Sequence, residues 1–195
     1  MLHRIEPAPT VILDTNVLVP NALRDALLRA AEQRLYEVRW SATTLRELER
    51  TLREKILAQH IDRSQRIERL FLAMRSTFPT ATVDDVPEVA DRLPISLSDR
   101  HVLAAAINSR ASIIVTNNLR HFPRSVLATH RVVSRSPDQF LLGLFSDHAD
   151  VLVALLTVQG AQLRQPRSLQ QVLATLAQHT PRFAEAVQRI QPTRS

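Results

Sequence analysis

The sequence predicts an α/β fold in which a central, mainly parallel sheet is flanked by helices and followed by a C-terminal helical extension. Two observations predict this class. Apolar runs at 11–13 and 113–115 end abruptly in polar residues, as buried parallel strands do, and the segments between them carry apolar residues at helical spacing. Beyond Pro137 the pattern is helical only. Strands that alternate with helices, then helices alone, indicate a parallel α/β sandwich with a helical addition.

The elements follow from apolar spacing and from capping residues. Strands are predicted near 11–13, 36–40, 81–83, 113–115 and 132–133. Helices are predicted from Pro20 to about Arg34, from Ser41 or Thr43 along an apolar face that reaches Ile56, from Asp62 or Ser64 to about Ser76, and from an N-cap at Ser98. The rest of 80–97 is predicted as loop. We expect residues 1–145 to form the sheet domain and 146–195 the extension. From Pro137 onward the apolar helix faces lie at 140–144, 151–156, 169–176 and 183–190.

Composition excludes several classes of protein. The chain has no cysteine and only two glycines, so thiolate zinc sites, cysteine nucleophiles and glycine-rich phosphate loops are ruled out. No H-x-x-x-H pair occurs, and His101 is expected to be a packed or solvent-edge histidine on a different helix face from Asp99. We see no signal peptide and no apolar run of about 20 residues, which predicts a cytoplasmic protein without a membrane span.

The positive charge is carried almost entirely by arginine. The net charge is +6, and Lys55 is the only lysine among 25 basic residues. Because the planar guanidinium suits phosphate, nucleic acid is a natural partner. Simple solvation of surface arginines is the alternative that charge alone leaves open.

Three acids are candidates for a site: Asp14 at the end of the first strand, Glu47 within a helix, and Asp99 in the first turn of the Ser98 helix. Each also has a structural interpretation. Asp14 fits a helix cap, Glu47 an i,i+3 partner of Arg50, and Asp99 an acid that complements the helix dipole. The spacing alone does not decide between these roles.

The motifs resemble those of the PIN-domain family, of the kind found as VapC-type toxins in bacterial toxin–antitoxin pairs. The resemblance rests on VILDTNVL at 11–18, on 40–52 with its Glu47, and on SDRHVLAAAINSRASIIVTNNLRHFP at 98–123. It implies a three-layer sandwich in which Asp14, Glu47 and Asp99 converge and bind Mg²⁺ or Mn²⁺. A fourth metal position falls on Asn118, and Ser96 stands where many relatives carry a further acid, which leaves the number of metals open.

The resemblance implies a ribonuclease that hydrolyses RNA phosphodiesters with metal-activated water. Crowded carboxylates need a cation to stay ionised, and oxygen ligands select Mg²⁺ or Mn²⁺ over zinc, which supports the same metals. Asn16 and Thr116 are expected to orient ligands or water, and Arg24, Arg100 and Arg120 to meet RNA phosphates. A small antitoxin and a homodimer are the implied partners.

Three alternatives stay open or rank lower. A PIN-like module that binds RNA or protein without catalysis would explain Asn118 and Ser96, and a solitary RNA-processing nuclease would need no antitoxin. A phosphatase of the haloacid dehalogenase type ranks last, because its second Asp is replaced by Asn16. Thr116 as a turn residue and Asn118 in a left-handed turn are the structural interpretations of those two positions. Whether the C-terminal helices pack on the sheet, on a second protomer or on an antitoxin is undecided.

Overall fold

Five strands form the sheet in the part of the chain that the structure, a computed structural model, describes, which is residues 8–57 and 64–190. The strands are β1 (Thr10–Leu13), β2 (Glu37–Ser41), β3 (Thr82–Val83), β4 (Ile113–Val115) and β5 (Val133–Arg135). Their order is β3-β2-β1-β4-β5, and every neighbouring pair is parallel. The predicted parallel sheet is confirmed. Strand order reverses direction between β1 and β4, which is the position where open α/β sheets bind ligands.

The helices lie between the strands and after them. They are α1 (Thr15–Leu18), α2 (Asn21–Glu32), α3 (Ala42–Leu57), α4 (Ser64–Thr77), α5 (Pro87–Ala90), α6 (Leu97–Asn108), α7 (Arg124–Thr129), α8 (Pro137–Ala161), α9 (Leu169–Leu176) and α10 (Pro181–Ile190), with a 3₁₀ helix at Leu119–His121. The alternative helix start at Asp62 and the side chain of Ile56 lie outside the described residues.

The two faces of the sheet bury two apolar clusters. Because side chains alternate along a strand, Val11 and Leu13 of β1 face one cluster and Ile12 faces the other. The first cluster contains residues of α2, α4, α8, α9 and α10, and the second contains residues of α6 and α7. The result is three layers with the sheet in the middle, as the resemblance implied. β1 is therefore buried on both sides, and the chain that leaves its carboxyl end is held firmly in place.

The C-terminal helices pack on the same core as the sheet. Helix α8 lies against α2, α9 and α10, and its Phe140 and Phe145 rings make edge contacts with Tyr36 and Phe183, at centroid distances of 5.0 and 5.8 Å. This decides the question that the sequence left open for these helices. Residue 145 lies inside α8, which is kinked at His148. The division into 1–145 and 146–195 stays a prediction.

Helix α8 corrects the expectation that no stretch is long and apolar enough for a membrane. Among the described residues it is the one helix that passes on length and composition, with 25 residues and a mean hydropathy of 1.6 over its most apolar window. Leu141, Leu152 and Leu156 are at most 1% exposed and pack into the first apolar cluster. Its most apolar window is 28% buried, and because core helices also pass the same test on length and composition, the finding is weak support for a span.

Some local predictions differ from the structure at helix starts. Ser41 is confirmed as a cap, since its Oγ accepts the Thr44 N–H at 2.9 Å. The prediction for Ser98 is wrong: α6 begins at Leu97, and Ser96 occupies the cap position without a side-chain bond. Helices α5 and α7 lie in stretches where no helix was predicted. Both are short, and short helices give too few apolar repeats to be recognised from periodicity.

Candidate active site

The candidate site lies at the carboxyl ends of the two central strands. Leu13 of β1 is in register with Val115 of β4, so Asp14 and Thr116 follow as neighbours at the same edge. The Asp14 N–H donates to the carbonyl of Val115 at 3.1 Å, which extends the ladder by one residue. Two residues that are far apart in sequence therefore reach one point in space through strand pairing.

Asp14 occupies the N-cap position of α1, yet its side chain makes no capping bond. It is only 7% exposed, and its Oδ2 accepts hydrogen bonds from Thr116 Oγ1 at 2.6 Å and from Asn16 Nδ2 at 2.5 Å. The helix-cap interpretation of Asp14 is therefore wrong. A buried carboxylate that two side chains hold in place is oriented for a purpose other than capping.

The Thr116 hydroxyl is saturated by three hydrogen bonds. It donates to Asp14, and it accepts from Asn16 Nδ2 and from the Asn118 N–H, both at 3.0 Å. The side chain is fully buried. One donor and two acceptor positions are the whole capacity of a hydroxyl. Thr116 thus ties the end of β4 to the acid at the end of β1, which is more than a turn residue does.

Asn16 closes the same network from α1. Its amide donates to Asp14 and Thr116, and its Oδ1 accepts the Asn117 N–H at 2.9 Å. Both ends of the amide are used, so its orientation is fixed by the network. The sequence prediction gave Asn16 and Thr116 a supporting role, and the structure places both of them against Asp14.

Glu47 lies on α3 and reaches the site from the side. Its Oε2 accepts from Thr15 Oγ1 at 2.7 Å, and its side chain is 32% exposed. The proposed pairing with Arg50 is wrong, because Arg50 lies 3.9 Å from Glu54 instead. Glu47 therefore contacts the residue that follows Asp14.

Asp99 comes from the first turn of α6 and is 7% exposed. Its Oδ2 accepts from Ser98 Oγ at 3.0 Å. Nδ1 of His121 lies 3.3 Å from both carboxylate oxygens. A solvated first-turn acid would have been exposed, so the burial of Asp99 and its histidine neighbour favour a site residue.

Two histidines lie beside the acids, and the sequence did not predict either of them as a site residue. His101 is 13% exposed at its side chain, shares a hydrogen bond with Ser41 Oγ at 2.7 Å, and places Nε2 3.6 Å from Glu47 Oε1. His101 is therefore a packed histidine, as expected, and the acid beside it is Glu47. His121 was not predicted as a site residue. Its position could have indicated this role, because it lies three residues after Asn118 within the motif at 98–123.

The acids influence one another electrostatically. Burial raises the pKa of Asp14 above its ordinary value, the Thr116 hydrogen bond opposes this rise, and the nearby Asp99 adds to it. Within the described residues, no three Asp, Glu, His or Cys side chains are grouped closely enough to hold a metal ion. Asp14, Glu47 and Asp99 instead bind the neighbours described above. The donors are nevertheless all hard oxygen ligands, and a divalent cation would relieve the cost of a buried, crowded carboxylate, so the residues fit Mg²⁺ or Mn²⁺.

Asn118 and Ser96 surround the acids without adding charge. Asn118 has a φ of −99°, so the left-handed turn interpretation is wrong, and its backbone N–H is bound to Thr116. Ser96 Oγ shares a hydrogen bond with Ser98 Oγ at 3.0 Å. Ser98, which donates to Asp99, is thus held by Ser96, the residue at the position where many relatives carry a further acid.

The three candidate arginines lie in different surroundings. Arg24 is 9% exposed and donates to the carbonyls of Leu18 and Val19 at 2.6 and 3.4 Å, which binds the end of α1. Arg100 donates from Nε to the Ile95 carbonyl at 3.1 Å. Arg120 is exposed on the 3₁₀ helix beside the acids. Their role toward RNA stays a prediction, and of the three Arg120 is the most accessible.

Comparison with known proteins matches this architecture. Residues 10–120 match the PIN domain family. The chain is 37% identical over 98 residues to "Putative ribonuclease VapC50" of Mycobacterium tuberculosis, an alignment that covers 50% of this chain and 58% of that protein. The chain thus spans little more than half the length of the relative. The family match extends from β1 to the 3₁₀ helix and includes every acid described above. The chain belongs to the PIN domain family.

Proposed function

We propose that this protein is a divalent-metal-dependent ribonuclease that hydrolyses RNA phosphodiesters. The observation that carries the proposal is the pair of buried aspartates, Asp14 and Asp99, which come from separate elements to the edge where the sheet order reverses. Membership of the PIN domain family supports this function, as does the similarity to a protein named a ribonuclease.

Asp14, Glu47 and Asp99 are the proposed ligands of Mg²⁺ or Mn²⁺, with Asn118 as a further oxygen donor. Asp14 is already oriented by Thr116 and Asn16, so little side-chain entropy remains to be lost on binding. Glu47 is the most exposed of the three acids and is held by a single short hydrogen bond from Thr15. When bound, a divalent cation supplies a Lewis acid that polarises the phosphodiester and activates water.

The remaining residues orient groups around that centre. His101, which shares a hydrogen bond with Ser41, places its Nε2 3.6 Å from Glu47 Oε1, and His121 stands beside Asp99. Arg120 is exposed next to His121 and is the natural first contact for an RNA phosphate. The net charge of +6 attracts the polyanion to this surface.

The biological setting belongs to the same proposal. Similarity to a protein named VapC50 supports a toxin whose activity a small antitoxin blocks. We propose that it acts in the cytoplasm as a homodimer. The check is to co-express the chain with the product of a short reading frame beside its gene and to assay cleavage. Inhibition supports the pair, and the absence of such a frame would assign a solitary RNA-processing nuclease.

The nuclease itself is tested with purified protein and a mixture of structured RNAs. Cleavage is expected with Mg²⁺ or Mn²⁺, and it is expected to stop in EDTA and in Asp14→Asn and Asp99→Asn. Asp147→Asn is the matched control, because Asp147 is exposed on α8 away from these contacts. Equal activity in all four proteins would overturn the proposal. RNA binding without cleavage, indifferent to metal and to Asp14, would assign a binding module instead.

A further inference from the structure

A cavity of about 720 Å³ lies outside the acidic site, between α2 and the junction of α8 with α9. A second cavity of about 600 Å³ adjoins it and extends between α3 and α4. The two share Asn21, Arg24 and Leu70 in their linings. They therefore form one continuous depression, which we name the α2 groove, defined by those three residues.

The α2 groove is strongly basic. The larger cavity is lined by Arg24, Arg29, Arg164 and Arg167, and the smaller one adds Lys55 and Arg66. Among the described residues, the single acid in either lining is Asp25, which pairs with Arg29 at 3.1 Å. Arg164 and Arg167 are exposed at the rim. Six cations against one paired acid in this described part of the lining make an anionic occupant the electrostatically favoured one.

One wall of the larger cavity carries a buried amide with an unused acceptor. Gln159 is 3% exposed, and its Nε2 donates to the Ala22 carbonyl at 3.0 Å, which fixes the orientation of the amide. Its Oε1 has no hydrogen-bond partner among the described residues. Buried acceptors normally have a hydrogen-bond partner, so we expect a donor on a bound ligand to supply it. Leu28, Leu163 and Val172 supply an apolar lining beside it.

The groove is close to the proposed catalytic acids. Lys55 lies eight residues beyond Glu47 on α3, roughly 12 Å at the helical rise. Arg24 holds the end of α1, the helix that begins directly after Asp14. An extended ligand that runs from the acids along α3 therefore enters the groove.

We propose that the α2 groove binds single-stranded RNA on one side of the cleavage position, and this rests on the ribonuclease function proposed above. The guanidinium groups of Arg164 and Arg167 contact phosphates. The pocket at Gln159 accepts one unpaired base, whose ring lies on the apolar wall and whose N–H or NH₂ group donates to Oε1. An acidic protein segment would meet the same charges, and the binding tests below separate it from RNA.

The test measures binding of a fluorescently labelled single-stranded RNA by anisotropy over a series of salt concentrations. EDTA is present throughout, so binding is measured without cleavage. The double variant Arg164→Ala/Arg167→Ala is compared with Arg75→Ala/Arg182→Ala, which removes two exposed arginines that line neither cavity. Loss of two phosphate contacts should flatten the slope of log K against log salt by about 1.4 in the first variant alone. Equal slopes in both variants would overturn the inference.

A second variant tests the base pocket. Gln159→Leu should weaken binding of the RNA while leaving unchanged the binding of an oligonucleotide of equal length that lacks bases. Thermal unfolding of each variant shows that it is folded. Equal weakening for both oligonucleotides would overturn the assignment of a base pocket, and the arginine pair tests the groove even where Gln159→Leu fails to fold.

Two further results separate this inference from the ribonuclease proposal. RNA binding in the groove without any cleavage in Mg²⁺ or Mn²⁺ would contradict the ribonuclease proposal and support RNA binding by the groove. RNA cleavage that does not depend on the groove arginines would support the ribonuclease proposal and contradict RNA binding by the groove. Poly-glutamate binding can be measured in the absence of RNA. If Arg164→Ala/Arg167→Ala abolishes poly-glutamate binding and leaves RNA binding unaffected, the groove binds an acidic protein segment and the RNA inference is overturned.

Discussion

Replacing Thr116 by valine should destabilise the protein and disorganise the site. Valine keeps the shape and the β-branch but removes a fully buried hydroxyl. The bond to the Asp14 carboxylate, at 2.6 Å, involves a charged group and is worth about 1.5–3 kcal/mol. The Asn118 N–H also loses its acceptor, and because it is only partly buried we add no more than about 1 kcal/mol. The expected loss is about 1.5–4 kcal/mol, or about 3–16 °C in Tm for a chain of this size.

The assay is urea denaturation followed by circular dichroism, together with Mn²⁺ affinity and RNA cleavage. Thr116→Ser is the matched control, because serine keeps the hydroxyl and loses only a methyl group. We expect the serine variant to retain metal affinity and the valine variant to lose about 10–100-fold, the usual cost of removing a group that orients a ligand. A free energy of unfolding for Thr116→Val within about 0.5 kcal/mol of the wild type would refute the role assigned to the hydroxyl.

Three further predictions concern an acid, a surface network and a helix junction. Asp99→Asn should lower RNA cleavage by about 100-fold or more while far-UV circular dichroism is unchanged, and full activity would contradict its role. Partial burial raises the pKa of Asp85, but its hydrogen bonds to the start of α3 and to Arg46 outweigh this and lower it overall. The stability from Asp85 is therefore present above about pH 4 and lost below it, and Asp85→Asn should flatten that loss in acid titrations of the urea midpoint. Gly160→Ala places a Cβ 2.3 Å from a backbone carbonyl oxygen of the following loop and should cost about 1–3 kcal/mol, whereas Gly143→Ala, whose Cβ meets only a side-chain end at 3.3 Å, should cost nothing.

Much of the site could be predicted because its residues stand at strand ends. The apolar runs before Asp14 and Thr116 predicted two buried parallel strands, and polar residues at their carboxyl ends are where such sheets bind ligands. Glu47 and Asp99 could be selected only with the motif resemblance, since each also had an ordinary role on a helix. The structure removed those ordinary roles for Glu47 and Asp14, because Arg50 pairs elsewhere and Asp14 caps nothing.

Residue spacing did not predict the contacts of side chains whose partners lie on other secondary-structure elements. The expectation for His101 came from its spacing to Asp99 on one helix, but its partners Ser41 and Glu47 belong to β2 and α3. Arg24 also binds the end of α1, a contact that its spacing in the sequence does not reveal, and its role toward RNA stays a prediction. Helix geometry says which residues share a face, and it does not say which other element that face will meet.

The sequence by itself determined the sheet, the class of helices around it and the acids at one edge. Its alternation of apolar strands with amphipathic helices admits few other arrangements. Only the tertiary structure decided that the Thr116 hydroxyl binds Asp14 across 102 positions, that Gln159 is buried with an acceptor that no described residue binds, and that the C-terminal helices complete the core. These depend on which surfaces meet when the chain packs, and a one-dimensional pattern records only that a surface must be buried.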